Sequence, residues 1–166
     1  FHDDNNKFFD DNSDRMIFFC KGALETVRKF GWAPDIIHCF GWMTSLIPMY
    51  IKTTYKDDPV FANAHVLFSV FKNEFQDKLK QDFATKLAIS EDISKKHVDF
   101  FKQGDNTSLL IGGVEFADGL IVGESLDAKV SSHVKKAKGK PTLKLTLKEE
   151  NPVNLLGEFY QNILAN

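Results

Sequence analysis

The stretch Ala33-Pro34-Asp35-Ile36-Ile37-His38-Cys39-Phe40-Gly41-Trp42-Met43-Thr44-Ser45 decides the fold. Its first three residues read as a turn. Residues 36–40 then form a short apolar run bounded by turn residues at both ends, the pattern of a strand buried in a parallel sheet. Gly41 permits a backbone bend at that strand's carboxyl end. Thr44 or Ser45 caps a following helix over residues 44–55, with Pro48 in its first turn, where a missing N–H is tolerated. Upstream, Ile17, Cys20, Leu24 and Val27 recur at helical spacing and lay one apolar stripe along residues 14–30. Asn12 or Ser13 is placed to cap this helix, Arg28 and Lys29 occupy its last turn, and Gly31 stops it.

The strand, turn and helix unit repeats downstream. Residues 66–71 form the next strand, and residues 72–103 are polar and irregular, with a short helix over 77–87 and a turn over 90–94. Asn106 or Thr107 opens a helix that runs to residue 117, and Asp118-Gly119 turns into a strand over 120–122. Glu124-Ser125 opens a helix carrying Leu126, Val130, Val134 and Ala137, which Gly139-Lys140-Pro141 ends. Residues 142–147 alternate as a strand does. Asn151-Pro152 starts a last helix with Val153, Leu156, Phe159, Tyr160 and Ile163 on one side. The aspartate- and asparagine-rich opening, residues 1–14, reads as loop. Four strands alternating with helices predict an α/β chain, a Rossmann-like open parallel sheet with helices on both faces. Ligands bind such sheets beyond the carboxyl ends of the strands, here the turns after Phe40, Phe71 and Val122.

Composition excludes several classes. With 43% apolar and 27% charged residues, the 166-residue chain is globular rather than disordered. At ~150 residues per domain it is expected to form one Rossmann-like domain over 1–166 with a continuous core. Its longest apolar stretches, residues 16–20 and 66–71, fall far short of the ~20 residues that cross a bilayer, so no membrane role is expected. A formal charge of −2 and a pI near 6.2 give no field to gather polyanions, so nucleic acid is not an expected partner. Cys20 and Cys39 lie in apolar surroundings and suit a reduced, cytoplasmic chain. The opening at Phe1, with neither methionine nor signal-peptide pattern, points to a start inside a longer gene product. Sixteen phenylalanines must mostly be core.

No G-x-G-x-x-G or Walker loop follows any strand, and Gly112-Gly113 fall inside a predicted helix, so no backbone cradle for a nucleotide is expected. The five histidines are dispersed without ligand spacing; no metal and no cofactor are expected. Seven lysines and no acidic residue occupy residues 129–148, which reads as a solvated helix face beside a lysine-protected edge strand. Trp42, after the bend at Gly41, is placed either to stack on a sugar ring or to fill core, and core packing is favoured.

Asp11-Asn12-x-x-Arg15 leading into a helix, then Trp32-x-Pro34-Asp35-Ile36-Ile37-His38-x-x-x-Trp42, resembles the N-terminal catalytic domain of bacterial glycogen and starch synthases, glycosyltransferases of the GT-B type. The likeness continues at Ser69-Val70 with Phe75-Gln76, where the family has T-V-H-N-x-x-Y-Q-G. It returns at residues 116–122, which look like the family's Y-A-D-x-V-x-T-V-S segment, and it covers residues 8–134 in all. The resemblance implies one half of an architecture in which two Rossmann-like domains face each other. Such a pair moves glucose from ADP-glucose or UDP-glucose to the end of an α-1,4-glucan with retention, and its N-terminal domain shapes the acceptor side. Carried over by position, Asp11 and Asn12 fall near the sugar site, Arg15 and Trp42 on supporting positions, and His38 on the first histidine of H-x-H-D-W-H.

The departures are chemical. Where that motif has its second histidine, which would hydrogen-bond the transferred glucose, this chain has Phe40; Gly41 replaces the aspartate and Met43 the last histidine. In the second motif Phe71 and Lys72 replace histidine and asparagine, and Asp77 replaces the closing glycine. The family's first strand, with its K-x-G-G-L loop, and its nucleotide-binding half do not occur in this sequence. Losing one preorganised donor typically lowers rate ~10² to 10³, so no catalytic set is intact and the chain alone is expected to be inactive. A second domain or a partner chain would have to supply the sugar-nucleotide site. The alternative is a domain that holds α-glucan or a protein without turnover, using the rings of Phe40, Trp42, Phe71 and Phe75.

Overall fold

A computed structural model describes residues 1–72, 75–146, 148 and 151–165. The apolar stripe of the first segment folds as helix α1, Asn12–Phe30, and buries Met16, Cys20 and Leu24. Gly31, at φ 63°, ends it by returning its N–H to the Arg28 carbonyl. The capping expectation is corrected: Asp11 holds the N-cap position without a side-chain cap bond, and Asn12 and Ser13 lie inside the helix, buried. Strand β1, Ile36–Phe40, follows where the apolar run predicts it. The next helix is shorter than residues 44–55. It opens as a 3-10 turn, Trp42–Thr44, fixed by the Thr44 hydroxyl on the Gly41 carbonyl at 2.9 Å, and α2 spans Leu46–Lys52. Thr53 ends it by turning its hydroxyl back onto the Met49 carbonyl.

Strand β2, His65–Val70, leads into the irregular stretch, where only α3, Phe83–Lys86, forms within the expected 77–87. A further short helix, α4, Lys95–Val98, is held by a Ser94 and His97 capping box. Helix α5, Asn106–Phe116, is capped by Asp105, whose carboxylate accepts from the Ser108 N–H at 2.8 Å. Strand β3 is Gly119–Val122. The helix expected from Glu124-Ser125 starts later, as α6, Ala128–Lys136. Ser125 takes φ 58°, which breaks helical winding, and Asp127 provides the cap. Strand β4, Thr142–Lys144, is shorter than residues 142–147, and Leu147 lies outside the described residues. Helix α7, Pro152–Leu164, buries Phe159 and Ile163, but Val153, expected on that side, is 75% exposed.

The strands form one parallel sheet in the order β1-β2-β3-β4, with Ile37 beside Val66, Phe68 beside Leu120 and Ile121 beside Leu143. Because every crossover steps the same way, right-handed connections put α2, α5 and α6 on one face. There α1, α2 and α5 enclose the main core around Met16, Leu46, Phe68, Leu109 and Val114. Among the described residues helix α7 alone covers the other face, where Phe159 and Ile163 meet Leu67 and Ile121. β4 is an edge strand with Lys144 exposed, as the lysine run implies. Lys140 departs from that solvated picture: its ammonium, half-buried, donates to the carbonyls of Val114 and Ala117 at 2.9 and 2.8 Å and to that of Glu115, closing the end of α5. Among the described residues no helix is long and apolar enough to cross a membrane.

Candidate functional site

The carboxyl ends of the strands are where the sheet can meet a ligand, and the expected aromatic groove divides there into two pairs. At Gly41, φ 77°, the chain bends and carries Trp42 inward. Trp42 is 1% exposed, boxed by Phe1 and Phe75 with ring centroids 4.8 Å away, and Phe8 stacks on Phe75 at 5.1 Å. Trp42 and Phe75 belong to the helix-side core and are buried beneath Phe1, itself 56% exposed, and Phe8, so they do not extend a groove. Phe40 and Phe71 form the other pair, 5.1 Å apart, with Phe40 62% exposed. Phe71 walls a hollow of about 530 Å³ built from the segments after three strands: Phe71 and Lys72 after β2, Gly123 to Ser125 after β3, and Leu145 and Thr146 after β4, with Pro152 of α7 closing it. Gly123 allows the close approach of Phe71, since a Cβ there would meet the ring at 2.5 Å. An aromatic wall, a carboxylate, an ammonium and two hydroxyls suit a polyhydroxylated ligand better than a polyphosphate.

The remaining sequence candidates scatter. Asp11 pairs with Arg15 at 2.8 Å, and that hydrogen bond holds its carboxyl below the usual range. The Arg15 guanidinium lies 4.6 Å over the Phe9 ring. Asn12 is buried and donates to the Phe1 carbonyl at 2.9 Å, pinning the N-terminal segment over Trp42. Gln76 is exposed. His38 faces α7: Nδ1 is 2.7 Å from the Tyr160 hydroxyl and Nε2 is 2.6 Å from the Ser69 hydroxyl. Burial pushes its imidazole pKa below the ordinary value. A half-buried ring held between two hydroxyls anchors α7 to the sheet. Tyr160 lies 122 residues from His38, so no local spacing announces the contact, and Glu124, Ser125 and Thr146 are equally silent until β3 and β4 are set side by side. Among the described residues no three histidine, cysteine, aspartate or glutamate side chains converge as a metal site.

Comparison with known proteins adds what the geometry lacks. The family model described as the starch synthase catalytic domain matches residues 1–129. A protein from Desulforudis audaxviator described as glycogen synthase is 31% identical over 111 residues, 66% of this chain and 22% of that protein. One from Chlorobium luteolum with the same description is 35% identical over 122 residues, 74% of this chain and 24% of that protein. Another from Chlorobium chlorochromatii reaches 47% over 57 residues, 34% of this chain and 12% of its own. The chain therefore spans about a quarter or less of the length of these curated relatives.

Proposed function

The chain belongs to the starch synthase catalytic domain family, and from that premise we propose that it is the acceptor-side half of a glycogen- or starch-synthase fold which, taken alone, does not transfer glucose. The reaction to which it is fitted moves glucosyl from ADP-glucose or UDP-glucose to an α-1,4-glucan, and a second domain or partner chain would supply the sugar-nucleotide site. One observation carries the inactive reading: Phe40 and Phe71 touch at the mouths of β1 and β2, in the positions that the family motifs give to histidines. Developing charge at the anomeric carbon and the leaving phosphate has to be met by preorganised donors. Ring carbons provide none. The free, buried thiols of Cys20 and Cys39 support a cytoplasmic setting. The test is incorporation of radiolabelled glucose into glycogen by the 166-residue chain, with each donor in turn. None is expected, and incorporation above a boiled control overturns the reading.

A non-catalytic α-glucan-binding role is the second reading, favoured by the hollow beside Phe71 and the exposed ring of Phe40. Because Trp42 is buried under Phe1, its fluorescence is a poor reporter, and calorimetric titration with maltoheptaose against Phe40→Ala is the better measurement. Stacking worth ~0.5 to 1.5 kcal/mol predicts a Kd weakened by about twofold to just over tenfold. Absence of binding heat in both proteins removes this reading.

A further inference from the structure

Among the described residues, the buried side-chain atoms Asn12 Oδ1, Ser13 Oγ, Ser45 Oγ, Asn106 Oδ1 and Asn106 Nδ2 have no hydrogen-bond partner. Buried amides and hydroxyls are nearly always paired, with protein or with ordered water, because stripping them of water without replacement is costly. Asn106 is the extreme case, a whole amide at 2% exposure with neither end engaged, and Ser45 is fully buried at 0%. Helix capping employs neither residue. Asp105 already caps α5 through the Ser108 N–H at 2.8 Å. Ser45 precedes α2 without a side-chain cap bond, and the Thr44 hydroxyl is the one that fixes the preceding turn.

Topology brings these two residues to one corner. α2 leaves β1 and α5 enters β3 on the same face of a parallel sheet, so both helices begin at the carboxyl end of the strands. α5 packs on α2 and also on the Trp42–Thr44 turn that leads into it, and it is the start of α5 that reaches this turn. Ser45 closes the turn and Asn106 opens α5. Residues 78 and 79 run across the start of α5, where Lys78 bridges to Asp105 and the Leu79 N–H donates to the Gly104 carbonyl at 2.8 Å. Asn12 and Ser13 belong elsewhere: α1 meets the same turn about two helical turns beyond them, where the Cys20 thiol donates to the Met43 carbonyl at 2.9 Å. The donor set at the corner selects its guest. A cation would face the amide NH2, an anion would face the amide oxygen with the Asp105 carboxylate next along the chain, and burial leaves an organic ligand no open face. Water both donates and accepts, and makes about three hydrogen bonds when buried. We propose that Asn106 and Ser45 hold an internal water molecule that ties the start of α5 to the start of α2.

A high-resolution crystal structure, a bromide-soaked companion crystal and water-to-amide cross-relaxation in solution test this. The expected result is a water peak within ~2.7 to 3.2 Å of Ser45 Oγ and of an Asn106 side-chain atom. The Asn106 side-chain NH2 should also show cross-peaks to water with the sign of a long-lived bound molecule, and Ser45→Ala should lose them while keeping its backbone amide spectrum. Three outcomes overturn the proposal. One is a crystal with no peak joining the two residues. Another is anomalous bromide density in its place, which makes the guest an anion. The third is a cross-peak unchanged in folded Ser45→Ala; should that variant fail to fold, the crystal and the cross-peaks of the unmodified protein decide alone.

Discussion

His38 shows how far a single residue can be read from sequence. Its place on a buried strand follows from the apolar run around it, but its hydrogen-bond partner Tyr160 is met only once α7 has crossed the second face, and Ser69 only once β2 lies beside β1. A neutral imidazole donates from one nitrogen and accepts at the other, so two hydroxyls satisfy it without any charge nearby. Burial is the cause of its lowered pKa. The folded protein therefore binds this proton less readily than the unfolded chain. Above the ordinary value of 6.5 both states are neutral and stability is unaffected; as pH falls below 6.5 the unfolded chain takes up the proton first and stability drops, until the folded value is passed. Denaturant titrations between pH 7.5 and 5 are expected to show a loss that is smaller in His38→Gln, and the His38 ring resonances should titrate below 6.5. Titration at or above 6.5 contradicts this account. Trp42 gives the complementary lesson. The preference for core over sugar stacking is fulfilled, yet its partner Phe1 lies 41 positions away and no periodicity points to it.

At the scale of elements, strands and long helices were legible because their apolar spacing is set by what they bury. α1, β1, β2, α5 and α7 lie close to their expected places. The starts and stops were less so, because they are fixed by single backbone decisions such as the left-handed turn at Ser125, which serine does not advertise. The paired glycines of α5 are a case in which sequence tells what is absent, a phosphate loop, and structure tells what is present. A Cβ on Gly112 would run into the ring of Phe101 and one on Gly113 into Phe68, both rings fully buried, so the glycines let α5 lie against its neighbours. Gly22, in the middle of α1, has nothing within 4 Å. Helix propensity alone favours alanine at either site by ~1 kcal/mol. Gly22→Ala is accordingly expected to stabilise by about 0.5 to 1 kcal/mol. Gly112→Ala sets that gain against ~1 to 3 kcal/mol or more of overpacking and is expected to destabilise. Urea midpoints of the two variants decide the matter, and equal shifts would show that the Phe101 ring moves aside.

For the molecule as a whole, the uneven covering of the sheet is the dominant fact. One face shares a core with α1, α2, α3, α5 and α6, whereas the other rests on α7, whose apolar contacts among the described residues bring Phe159, Ile163, Leu156 and Tyr160 together with Leu67, Ile121, Ile36, Leu143 and Leu145, in addition to the His38 link. Burying two such large side chains contributes ~1.5 to 3 kcal/mol each, an upper estimate because the unfolded chain already hides part of them. At ~3 to 6 kcal/mol that sum reaches only the low end of the ~5 to 15 kcal/mol that holds a typical domain. All four strands of the sheet precede α7 in the chain, so the β1 to β4 register is set without passing through it. Detaching it costs its own contacts and leaves the main core closed, which is the condition for sub-global opening. Native-state hydrogen exchange in rising denaturant is expected to show α7 amides opening at a free energy a few kcal/mol below those of β2, β3 and α5. Tyr160→Phe, which removes the hydroxyl from His38, should lower the α7 value by ~0.5 to 1.5 kcal/mol while shifting the slow amides of β2 by less. If α7 instead exchanges only through global unfolding, the two faces form a single cooperative unit and the His38 hydrogen bonds carry more of the structure than their number suggests.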